Sequence, residues 1–174
     1  MRAALIAIMA MAALSDGAAA QPRADRDRPI DVSRAEVVAG AVRDAGYKAE
    51  LKHNEKGAPY IVSAANGAPF IIEFYGCRPD SGCSSLQFYS WYRKEAGFTL
   101  DMVNEWNAGK RFLKTYIDKE GDLGATMDVT TIGRMTPANF ADALDWWAVM
   151  SADLATFIDK RDDAPPVSPP ATAR

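Results

Sequence analysis

Asn66-Gly67 stands between two short runs, Tyr60 to Ala64 and Phe70 to Tyr75, that are dominated by β-branched, aromatic and small residues. A two-residue hairpin loop that matches the twist of its strands needs positive φ at both positions, and Asn-Gly accepts this at least cost. The dipeptide therefore commits the two runs to neighbouring antiparallel strands. The same rhythm continues on either side. Tyr47 to His53 comes before, joined by Asn54-Glu55-Lys56-Gly57, and Leu86 to Tyr92 comes after, beyond the loop GCRPDSGC that holds the chain's 2 cysteines. Four short strands connected by turns read as an antiparallel meander.

Helical periodicity brackets the meander. Ser33 is placed to cap a first helix over Arg34 to Ala45, with Val37, Val38, Ala41 and Val42 on its stripe and Gly46 at the left-handed stop. Thr99 caps a second, carrying Leu100, Val103 and Trp106 and ending at Asn107-Ala108-Gly109. Two further strands, Arg111 to Ile117 and Leu123 to Thr130, are joined by Asp118-Lys119-Glu120-Gly121. Thr136 and Pro137 then open a long third helix with a broad apolar face: Phe140, Leu144, Trp147, Leu154 and Ile158, with Ala143, Met150 and Phe157 beside them. The class expected is α+β: an antiparallel sheet of about six strands, in the order α-ββββ-α-ββ-α, with helices packed on it.

The termini are of another kind. Arg2, the apolar run Ala3 to Leu14 and then Ala18-Ala19-Ala20 read as a secretory signal peptide over residues 1–20. The run is well short of the roughly 20 apolar residues that cross hydrocarbon, and no later segment approaches that length, so no membrane span is expected. No cysteine stands at the cleavage point to take a lipid anchor. Residues 21–32 read as a flexible linker and 159–174 as a disordered Pro-rich tail, leaving a folded domain over 33–158. A net charge of −3 gives no electrostatic footprint for nucleic acid.

Candidate chemistry is sparse. Cys77 and Cys83, with the single histidine His53, are too few and wrongly spaced for a zinc site. Five residues, Pro79 and Gly82 among them, separate the sulfurs between strands, unlike a C-x-x-C redox pair. A structural disulfide is the expectation for an exported chain, and closing so short a loop is worth about 2 kcal/mol. His53, at a strand end, reads as a surface residue. No nucleophile elbow is present, and Asp118, Glu120 and Asp122 read as a turn because Gly121 falls in the wrong place for a calcium loop. Lys110, Arg111 and Lys114 read as a solvated basic group, and Glu73 and Asp128 as marks of the sheet's solvent side. No catalytic residue, metal or cofactor is nominated, and the chain is not expected to be an enzyme.

Aromatic residues are the surplus. Alternation sends Phe70, Ile72 and Phe74 to one face and Ile71, Glu73 and Tyr75 to the other; in the next strand Leu86, Phe88, Ser90 and Tyr92 oppose Gln87, Tyr89 and Trp91. Tyr75, Tyr89 and Trp91 are the candidate partner-binding patch. Trp146 and Trp147 are adjacent and cannot both face the core of one helix. A pocket near them, between the long helix and the sheet, is the basis of the rival reading: a small-ligand sensor or an unrecognised hydrolase.

The stretches FYGC…GCSSLQFYSWY, VNEWNAGKRF and MDVTTIGRMTPANFADALDWW together resemble YbjN-type domains, a bacterial family associated with regulation of sensory transduction. The resemblance runs from about Ser33 to Ile158 and is most specific at Trp106-Asn107 and Arg111-Phe112. It implies a fold similar to type III secretion chaperones and no known enzyme activity. The leader then places the chain among exported members, in the periplasm. Read physically, the motif is a structural junction: Trp106 closes the short helix on the sheet, Asn107 takes the left-handed position that ends it, and Arg111 bonds the freed carbonyls. The function expected is a non-catalytic, protein-binding or chaperone-like regulatory module acting through a sheet face, as a homodimer with a protein partner not yet named.

Overall fold

The computed structural model of the protein describes residues 27–133 and 135–162. The proposed leader, linker residues 21–26 and tail residues 163–174 lie outside the described residues; of the rest of the expected linker and tail, Ile30 N–H donates to the Met135 carbonyl at 2.8 Å, Val32 is buried, and residues 159–162 continue the last helix. In chain order the elements are α1 (Ala35–Asp44), β1 (Glu50–His53), β2 (Pro59–Ala65), β3 (Ala68–Tyr75), β4 (Ser85–Tyr92), α2 (Leu100–Gly109), β5 (Lys114–Ile117), β6 (Leu123–Thr130) and α3 (Pro137–Asp162). The order is the one expected. The strands form one antiparallel sheet arranged β1-β2-β3-β4-β6-β5, so the β5–β6 hairpin folds back to lay β6 against β4.

Local chemistry explains the boundaries. Ala65 pairs with Ala68, leaving Asn66 (φ 52°) and Gly67 (φ 80°) as the two-residue loop. Asn66 does more than turn the chain: its Nδ2 donates to the Ala148 carbonyl at 2.9 Å and ties the hairpin to α3. Gly46 (φ 89°) ends α1 as expected, with Gly46 N–H on the Arg43 carbonyl (2.9 Å) and Tyr47 N–H on that of Val42 (3.1 Å). Those bonds, with Arg43 on the Ala49 carbonyl, hold Tyr47 to Ala49 out of the sheet and start β1 later than expected. Ser33 is not the cap of α1. The capping position is Arg34, which leaves Ser33 one residue ahead of the helix, where its hydroxyl donates to Asp31 at 2.5 Å. At α3 the expected cap is present, with Thr136 Oγ1 accepting Asn139 N–H at 3.1 Å ahead of Pro137.

The three helices share one face of the sheet. Phe70, Ile72, Phe74, Leu86, Phe88, Leu123, Ala125 and Met127 are buried beneath them. Trp147 of α3 packs on Phe70 (5.6 Å between centroids) and Phe88 (5.7 Å), and Phe140 on Phe88 (6.4 Å). Val38 and Val42 of α1 and Met102, Val103 and Trp106 of α2 complete the core. Val37 and Ala41, expected on the buried stripe of α1, are half-buried and line a cleft of about 860 Å³ between α1 and α3.

Candidate interaction surface

Residues paired across the ladder point to the same side, so the register maps the helix-free face. One row runs Lys52, Tyr60, Glu73, Gln87, Asp128; the next runs Glu50, Val62, Ile71, Tyr89, Thr126, Lys114. A third places Trp91, Gly124 and Tyr116 side by side. The three nominated aromatics share this face: Trp91 is 61% exposed, Tyr75 45%, and Tyr89 is half-buried. They are not one cluster. Tyr75 pairs with Ser85 at one end of β4 and Trp91 lies near the other, about 20 Å away at strand spacing.

The surroundings of Tyr75 are polar. The Tyr75 hydroxyl donates to Glu73 at 2.5 Å and lies 3.4 Å from Gln87 Oε1, while Gln87 Nε2 donates to Asp128 at 2.9 Å. Burial, then the bond to Glu73 and the charges of Glu73 and Asp128, push the Tyr75 phenol well above its usual range. Burial also raises Tyr89, to about 12, helped by the neighbouring Tyr116 phenol and by the charges of Glu73 and Asp118.

Tyr60, paired with Glu73, and Tyr116 are the members that sequence reasoning missed. A Cβ on Gly124 would stand 2.4 Å from Tyr116 Cζ, so the glycine is what lets this ring lie against the sheet beside Trp91. A glycine inside a strand pattern signals such close approach, and Gly124 was the available sign.

The motif Trp106-Asn107-Arg111-Phe112 is built differently from expectation. Trp106 is buried, its indole N–H donating to the Leu113 carbonyl at 3.1 Å. Asn107 is helical and takes no left-handed position; that conformation belongs to Phe112 (φ 60°). Asn107 Oδ1 accepts Thr115 N–H (2.9 Å) and its Nδ2 donates to Thr115 O (3.0 Å), so one amide occupies the outer edge of β5. The carbonyls at the end of α2 are taken by Lys114, on Asn107 O (2.8 Å) and Lys110 O (2.6 Å), and not by Arg111. Arg111 lies 4.9 Å over the Phe112 ring, which packs at 4.7 Å on Trp146. Lys110 pairs with Asp153 at 2.7 Å. Trp146 is 39% exposed, whereas Trp147 fills the space between α3 and the sheet in which a pocket was expected. Neither tryptophan lines the α1–α3 cleft.

Cys77 and Cys83 are disulfide-bonded. Their loop is anchored as well as closed: Cys83 N–H donates to Ser33 O at 2.9 Å, Thr131 Oγ1 donates to Cys83 O, and Gly82 abuts the Ser33 side chain. A second cavity, of about 640 Å³, borders this loop. Asp118 turns its carboxylate onto the N–H groups of Glu120 (3.0 Å) and Asp122 (2.9 Å), which makes the segment a hairpin turn. His53 is exposed at the end of β1. Among the described residues no group of three or more His, Cys, Asp or Glu is placed to hold a metal ion, and no helix is long and apolar enough to cross a membrane.

The family model described as "YbjN: Putative bacterial sensory transduction regulator" matches residues 34–160. The chain belongs to the YbjN family. Among solved structures this YbjN protein is similar to the type III secretion chaperone SycH of Yersinia pestis, crystallised in complex with a stable fragment of YscM2. Identity is 12%, with 67% of this chain and 95% of that one covered, at a TM-score of 0.44. No curated protein matches the chain.

Proposed function

We propose that this YbjN protein is an exported, non-catalytic binding module that engages a protein partner through the helix-free face of its sheet. The observation that carries the reading is the one-sidedness of the fold. All three helices cover one face, while the other leaves Tyr75, Trp91 and Tyr116 in solvent, with Tyr116 44% exposed. Tyrosine and tryptophan combine large contact area with low conformational entropy, and they dominate the energetics of protein interfaces. Export is supported by the leader-like first twenty residues and by the disulfide, which persists in an oxidising compartment such as the periplasm. Self-association into a homodimer belongs to the same proposal.

Affinity capture of the mature protein from periplasm tests it, comparing wild type with a Tyr89→Ala/Trp91→Ala variant. A partner retained by wild type and lost by the variant is expected. An identical set of proteins retained by both overturns the face as the binding surface. Sedimentation of the mature protein decides the homodimer, with a monomer at every concentration contradicting it.

A further inference from the structure

The helix-free face carries charge that the molecule itself leaves unanswered. Glu73 and Asp128 stand in its central row, held in position by Tyr75 and Gln87. Among the described residues neither carboxylate has a Lys or Arg partner. The two lysines on the same face are engaged elsewhere: Lys52 with Glu50 at 3.2 Å, and Lys114 with the two carbonyls at the end of α2. Beside the carboxylates lie the rings of Tyr60, Tyr75 and Tyr89, and four residues further along the strands, about 13 Å away, stand Trp91 and Tyr116; the π-faces of such rings attract cations. Unpaired carboxylates already oriented by hydrogen bonds, among exposed aromatic rings, complement an extended segment bearing Arg or Lys. The carboxylates would take the charged heads and the rings would pack on the guanidinium planes or the apolar stems.

We infer that the partner of this face presents a basic segment, with arginine or lysine side chains set over Trp91 and Tyr116 and against Glu73 and Asp128. The inference rests on the binding-module reading above and narrows it from a protein partner to a cationic one. Association is then steered by charge and weakens with salt.

Labelled extended peptides test it by fluorescence anisotropy on the mature protein: one alternating Arg and Thr, one Glu and Thr, one Ser and Thr, together with a neutral chito-oligosaccharide. The Arg peptide is expected to bind selectively, with affinity falling as salt rises. Trp91→Ala weakens it on the order of tenfold, between the effects of an exposed and a desolvated cation–π contact. Glu73→Gln/Asp128→Asn weakens it and flattens its salt dependence, while Trp146→Ala on the helix side leaves it unchanged. If the Glu or Ser peptide or the oligosaccharide binds equally well and in a Trp91-dependent manner, the basic partner is overturned and the face survives as a binding surface. If no probe binds in a Trp91-dependent manner, the basic partner is overturned, and the capture experiment separately decides the face.

Discussion

Asn107 does at the edge of the sheet what a neighbouring strand would do, offering one donor and one acceptor to Thr115. Exposed strand edges invite pairing with another chain, and a side-chain amide that fills the hydrogen-bonding positions closes this one. Asn107→Ala is expected to cost about 1–3 kcal/mol, the usual penalty for orphaned polar groups. It should also speed amide exchange at Thr115 and promote concentration-dependent association. Exchange mass spectrometry over 114–117 with sedimentation checks this, and unchanged exchange and mass would contradict it. The phenols supply a pH test. A folded pKa above the unfolded value of about 10 means that the native state holds its proton longer, so the contribution is complete below that pH and lost as pH rises toward the folded value. Stability is therefore expected to fall between about pH 10 and 12, and Tyr89→Phe should flatten the fall; denaturant melts across that range measure it. Asn107 could not be assigned from its neighbours in sequence. Asn before Ala-Gly is a local stop signal, and the bond that outweighs it comes from Thr115, eight residues on, in the next strand.

Elements governed by local rules were legible. The Asn66-Gly67 hairpin, the left-handed Gly46, and the Thr99 and Thr136 caps each follow from chemistry within a few residues. The placement of β6 between β4 and β5 was not, since it depends on how α2 returns the chain and nothing local encodes that. The GCRPDSGC loop combines both cases. Its closure could be read from spacing, but its hold on Ser33 and Thr131 joins the start of the domain to the approach to α3 and shows only in three dimensions. Cys77→Ser/Cys83→Ser is expected to lose about 2 kcal/mol. Exchange protection should fall at Thr131, whose N–H donates to the Ser84 carbonyl, as well as within the loop. If the loss of protection stays inside residues 77–83, the loop is a local staple and no clasp.

At the scale of the whole molecule the chain divides its aromatics. Phe70, Phe88, Phe140, Trp106 and Trp147 build the core beneath the helices, while Tyr60, Tyr75, Tyr89, Trp91 and Tyr116 occupy the opposite face. Strand alternation made Tyr75, Tyr89 and Trp91 visible in the sequence; Tyr116 waited on Gly124, whose empty position gives the ring its seat. Trp91 and Trp146 are both exposed but lie on opposite sides, so each serves as a control for the other. Hydroxyl-radical footprinting of the protein alone and with its captured partner uses that arrangement directly. The proposed function predicts that Trp91 becomes protected in the complex while Trp146 remains as reactive as before; equal Trp91 reactivity with and without the partner would contradict it.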